Sequence, residues 1–141
     1  MPRPMSSPYR YMEITLPNIQ AFLEDLRQDS DSKECVELMQ PHVCNPEITI
    51  YAAFYDSRPV AVLGIYRGMY LAFVIVREPH RRRGVGRCLI EKYATRVQSI
   101  LIKHADRGNS LAHKFLRNVG WRDYKQMDPK TDSMIREDFK A

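Results

Sequence analysis

The segment that most restricts what this chain can fold into runs from Val74 to Gly86. Val74, Ile75 and Val76 favour extended backbone. Pro79 has no N–H to give to a ladder, so a strand should stop near Val76. Gly84 and Gly86 then open a stretch in which Val85, Leu89, Ile90 and Tyr93 recur at helical spacing. The first N–H groups of a helix have no intrahelical partners, and the helix dipole places partial positive charge there. Glycines at 84 and 86 allow a tight turn and let a ligand approach without meeting a Cβ. Arg77, His80, Arg81, Arg82, Arg83 and Arg87 crowd residues 77–87, against one acid, Glu78. Charge alone leaves two readings open, a solvated basic loop or an anion site. The strand–turn–helix order favours the anion site, since phosphate is bound well at such a helix start. No Gly-Lys-Ser/Thr follows, so this is not a P-loop, and Leu89 stands where a dinucleotide fingerprint needs its third glycine.

A chain of 141 residues suits one domain with a real core. The expected division is a flexible arm over residues 1–8 and a folded domain over 9–141. No apolar run approaches the roughly 20 residues that span a bilayer, and the start has no apolar stretch of signal-peptide type. Cys35, Cys44 and Cys88 are a sparse, odd set, which suits a reducing cytoplasm better than a disulfide framework. Cys35, His42 and Cys44 match no standard zinc spacing, so no metal is expected. The net charge of +5 suits a polyanionic ligand, and no nucleic-acid recognition motif accompanies it.

Tyr9–Thr15 reads as a first strand. A helix follows from Leu16, with Ile19, Phe22, Leu23 and Leu26 on its apolar face, and a second from Ser32 as N-cap, with Val36 and Met39 facing inward. Ile48–Tyr55, Pro59–Tyr66 and Met69–Val76 form an antiparallel meander with turns at Asp56-Ser57-Arg58 and Arg67-Gly68. Gly84–Arg96 is the next helix, with Cys88 in its core. Ser99–His104 is a strand parallel to Met69–Val76, as the right-handed crossover rule expects. Ser110–Asn118 is a helix with Gly120 as C-cap. Trp121–Gln126 and Ser133–Phe139 pair as a last hairpin around Asp128-Pro129. His80 and His113 read as solvent-facing.

These residues resemble the GNAT family of N-acetyltransferases. Arg81-Arg82-Arg83-Gly84-Val85-Gly86 matches the family's R/Q-x-x-G-x-G/A signature. Asn109 to Trp121 is similar to its later N-x-x-A…G-F segment, with Trp121 in place of Phe. The resemblance implies a mixed, mostly antiparallel α/β sheet of about six or seven strands. About four helices flank it, and a parallel strand pair splays at the cofactor site. It implies acetyl-CoA as co-substrate. Backbone groups of Val74, Ile75 and Val76 would pair with the pantetheine arm. Arg81, Arg82, Arg83, Gly84, Val85, Gly86 and Arg87 would form the pyrophosphate cradle, its backbone N–H groups running from Arg82 to Arg87, and Asn109 would sit beside the thioester. Many relatives carry a Tyr at the position of Leu116, where it protonates the departing thiolate, and a Glu on the strand before the signature; both are absent here.

The chemistry expected is acetyl transfer to a primary amine, small-molecule or protein. The amine must be neutral, and the thiolate is a weak base, so a general base and good orientation suffice. His104, at a strand end where ligands collect in open α/β sheets, is the candidate base; the other reading is a histidine that merely ends a strand. Ser110 is a candidate donor to the thiolate, or a helix N-cap. The alternative function is a GNAT-fold structural or interaction module with little or no catalysis, which Leu116 and the carboxylate-free strand support. The compact chain and its Phe-Leu-x-x-x-Gly-Trp form also resemble small acetyltransferase-like phage proteins, which would make it a phage virion component. Membrane or nucleic-acid partners are not expected; a homo-oligomer is compatible with the sequence.

Overall fold

In the computed structural model, residues 8–68, 70–94, 99–103, 111–118 and 120–136 are described. His104, Asn109 and Ser110 lie outside them. The elements, in chain order, are β1 (Arg10–Glu13), α1 (Leu16–Leu26), α2 (Ser32–Met39), β2 (Ile48–Tyr55), β3 (Arg58–Tyr66), β4 (Tyr70–Val76), α3 (Val85–Tyr93), β5 (Ser99–Lys103), α4 (Leu111–Asn118), β6 (Trp121–Asp128) and β7 (Thr131–Arg136). The strands form one mixed sheet in the order β1-β2-β3-β4-β5-β7-β6. Every neighbouring pair is antiparallel except β4 with β5. The expected meander, parallel pair and final hairpin are all present.

Two helices cover each face. Alternation along β3 sends Ala61, Leu63 and Ile65 to one side and Val62 to the other. Ala61, Leu63 and Ile65 pack with Val85 and Leu89 of α3, Leu116 of α4, Trp121 and Met134. On the opposite face, Val62, Phe73 and Ile75 meet Ile19, Phe22 and Leu26 of α1 and Cys35 and Met39 of α2. Phe22 and Leu26 are fully buried, as their helical spacing requires. Gly64 on β3 is needed because the Phe73 ring lies where a Cβ would stand. At the β2–β3 turn, Asp56 and Ser57 both take positive φ, 49° and 67°, the conformation whose twist matches a tight hairpin.

Several local expectations need correction. Ser32 is the first helical residue of α2, and Asp31 holds the N-cap position without a side-chain capping bond; its carboxylate is taken by Arg81 instead. Helix α3 begins at Val85 and ends at Tyr93. Cys88 is exposed, not core. At about 100° per residue it lies about 60° round from Val85 and about 160° from Ile90, between Glu91 and Lys92 on the solvent side of α3. The last hairpin turns at Pro129-Lys130, where the Lys130 N–H donates to Asp128 Oδ1 at 2.8 Å, so β7 starts at Thr131. His80 is not solvent-facing. It is half-buried against the rings of Tyr9 and Tyr55, with Nδ1 3.0 Å from the Tyr9 hydroxyl.

Candidate functional site

Strands β4 and β5 are in register only at Tyr70↔Ser99 and Leu71↔Ile100. Beyond that point, among the described residues, β5 pairs with β7 and β4 pairs with β3 alone, so the two parallel strands part. The Arg77 N–H donates to the Val60 carbonyl at 2.8 Å. Backbone direction alternates along a strand, so Ile75 also turns its polar groups to β3, whereas Val74 and Val76 turn theirs into the opening. The Ile75 side chain is buried under α1 and α2, and Val74 and Val76 lie on the α3 face. Of the three residues expected to meet a ligand through backbone, two therefore face the gap.

After Val76 the chain makes a short 3-10 turn over Glu78–His80, as Pro79 dictates. Arg82 and Gly84 then take positive φ, 64° and 78°. The Cys88 N–H donates to the Gly84 carbonyl at 2.9 Å and is the first full helical bond. The N–H groups of Val85, Gly86 and Arg87 precede it and have no helical acceptor. A Cβ built on Gly84 meets none of the described residues within 4 Å, so among them there is room in front of this helix start. The loop offers donors, a dipole and room, which fits an anionic group.

The arginines around it divide into two sets. Arg77 is 13% exposed and reaches Asp29 Oδ1 at 2.7 Å; the Asp29 side chain is 2% exposed and also accepts the Glu78 N–H at 2.9 Å. Arg81 donates from Nε to the Val76 carbonyl at 2.9 Å and pairs with Asp31 at 2.8 Å. The hydrogen bond from Arg81 holds the Asp31 carboxyl below its ordinary pKa, against the effect of burial. Arg82, Arg83 and Arg87 are exposed, and among the described residues no acid pairs with them. Arg83 Nη1 lies 3.5 Å from the Tyr9 hydroxyl. Beside Arg87, a cleft of ≈ 290 Å³ is lined by Arg87, Ile90, Glu91, Asn118 and Gly120.

Leu116 is 1% exposed and sits in the apolar cluster with Val85, Leu89 and Trp121. Burial raises the Cys35 thiol to about 11, with Asp31 adding to the shift, so it is inert at neutral pH. His42, which the sequence offered only as a poor zinc ligand, stacks on Phe73 with ring centroids 5.9 Å apart. Burial lowers its pKa, so its ring is neutral at pH 7. Among the described residues no group of three or more metal-ligating side chains gathers, and no helix is long and apolar enough to cross a membrane. The residues that sequence reasoning missed are Asp29 and Asp31. Their only local signal was a short polar break, Asp29-Ser30-Asp31-Ser32, which reads as a turn.

The sequence matches the profile of the family described as acetyltransferase (GNAT) domain over residues 18–128. Among curated proteins, none matches it. The fold is shared with solved structures of low identity. The GNAT domain of PAT from S. lividans superposes with a TM-score of 0.68 at 15% identity, covering 89% of this chain and 88% of that one. An acetyltransferase from Thermus thermophilus gives 0.65 at 18%, covering 91% and 96%. The PaiA N-acetyltransferase from Thermoplasma acidophilum, solved in complex with coenzyme A, gives 0.64 at 11%, covering 91% and 98%.

Proposed function

Since the chain belongs to the GNAT acetyltransferase family, we propose that it is an N-acetyltransferase that moves an acetyl group from acetyl-CoA to a primary amine. One observation carries this reading. Among the described residues, the edge of β4 beyond Leu71 meets no other strand, its Val76 carbonyl held only by Arg81 Nε, and it leads directly into a helix start whose first N–H groups have no helical acceptor, beside three exposed arginines. A long ligand with an amide-bearing arm and a pyrophosphate matches that sequence of features. The arm would add to β4 at Val74 and Val76 as an extra strand does. The pyrophosphate would sit on the N–H groups of the Arg82–Arg87 segment, with Arg82, Arg83 and Arg87 neutralising it. Arg81 would serve the cradle through its bonds to Val76 and Asp31.

When bound, acetyl-CoA supplies a thioester carbonyl to which a neutral amine adds, with the thiolate leaving. The chain's part is to orient the two reactants and to handle two protons. Orientation alone supplies on the order of 7–11 kcal/mol in well-aligned intramolecular reactions. We assign His104 as the base that takes the amine proton, Asn109 to the thioester end and Ser110 as donor to the thiolate. Leu116 is given over to the core and supplies no proton. The experiment is an acceptor screen with acetyl-CoA, following free thiol, on the wild type and on His104→Ala. Turnover should fall much more than acetyl-CoA affinity in the variant; unchanged turnover would remove His104 from the mechanism.

A further inference from the structure

The loop between α1 and α2 is fastened to the basic loop by contacts that span 48 to 50 residues of sequence. Asp29 accepts from the Arg77 guanidinium and from the Glu78 backbone N–H. Glu78 in turn accepts from the Ser30 N–H at 3.2 Å and from the Ser30 hydroxyl. Asp31 takes the Arg81 guanidinium, and the same guanidinium group donates to the last carbonyl of β4, Val76. Every residue from 29 to 31 thus holds a residue between 77 and 81. The segment just beyond is left to present positive φ at Arg82 and Gly84 and free donors at Val85 to Arg87.

We infer that Asp29 and Asp31 are positioning residues for the cofactor cradle: two acids that strengthen the binding of a polyanion. The inference rests on the acetyl-CoA reading above. Its physical content is a conflict between two effects of opposite sign. A carboxylate near a phosphate site repels the ligand, so removing it should tighten binding on electrostatic grounds alone. A carboxylate that fixes the loop holds the donors in one arrangement, and losing that order weakens binding. The second effect wins here because both carboxylates are already spent on arginines and a backbone N–H, so little of their charge reaches the ligand.

The test is calorimetric titration of coenzyme A into the wild type, Asp31→Asn and Asp29→Asn, well below their melting temperatures. Amide hydrogen exchange over residues 78–87 is measured without ligand. Asn keeps the shape of Asp and removes its charge. Weaker coenzyme A binding is expected in both variants, about tenfold for Asp31→Asn, with faster exchange across 82–87. Unchanged or tighter binding would overturn the inference, as would unchanged exchange. Asp29 is nearly buried, so should Asp29→Asn fail to fold, the half-exposed Asp31 carries the test alone. A wild type that does not bind coenzyme A at all brings down the cofactor reading, and the positioning role with it. Binding by the wild type with no loss in Asp31→Asn brings down the positioning role only.

Discussion

The basic loop has two halves of similar composition and different surroundings. Residues 77–81 carry two arginines and are pinned by Asp29, Ser30 and Asp31 across the α1–α2 loop. Residues 82–87 carry three arginines, two positive-φ positions and no acid partner among the described residues. The difference shows that a run of like charge is not one functional unit. The first half is structure: its cations are neutralised from within the fold. The second half follows directly on the first, and no acid among the described residues neutralises its cations.

Breaking the second half should have the largest effect on binding. Gly84→Glu places a side chain at φ 78°, fills the space beside Gly84 and adds negative charge at the proposed anion site. Acetyl-CoA affinity should fall on the order of a hundredfold or more, read as loss of the ligand-induced thermal shift. Binding that survives this change would mean that the cradle lies elsewhere. Breaking the first half should act on stability. Asp29→Ala leaves the Arg77 guanidinium without its carboxylate at 13% exposure, and urea unfolding should show a loss of about 3 kcal/mol. A loss under about 1 kcal/mol would place the pair among ordinary surface bridges.

Leu116→Ala sharpens the contrast from the core side. It should cost about 3 kcal/mol through the cavity it leaves, with coenzyme A affinity kept. If affinity fell in step with stability, Leu116 would touch the ligand. Arg82→Ala and Arg83→Ala are expected to do the reverse, weakening coenzyme A by about tenfold each, more at low salt than at high, with no change in melting temperature. A stability loss in either would show that the two halves are not distinct.

The smallest effect concerns pH. Burial lowers the pKa of His42, and burial together with Arg83 and Arg77 lowers that of His80. Both stay neutral in the fold while the unfolded chain takes up protons below about pH 6.5. Their contribution is therefore complete above that pH and is lost as the pH falls toward the folded values. The melting temperature should drop between about pH 7.5 and 5.5, and His42→Gln with His80→Gln should flatten the profile. A wild-type profile already flat over this range would contradict the assignment.

Elements set by local chemistry were legible from sequence. Pro79 and Gly84 placed the end of β4 and the start of α3, and the spacing of Ile19, Phe22 and Leu26 placed the buried face of α1. What was not legible depends on residues distant in the chain. Asp31 looked like a residue before a helix cap because its true partner, Arg81, is 50 residues away. His80 looked exposed because Tyr9 lies 71 residues before it. Cys88 was placed on the wrong face because apolar character, not angular position, assigned it. The division of the arginines was hidden for the same reason, since composition shows charge and not what already holds it.

The most direct test of the account is a backbone-resolved NMR titration with acetyl-CoA. The account predicts that the largest shifts fall on the N–H groups of Val74, Val76 and Arg82 to Arg87, with Ile75 little moved because its backbone faces β3. No shifts at millimolar acetyl-CoA, or shifts that leave 82–87 untouched, would contradict it.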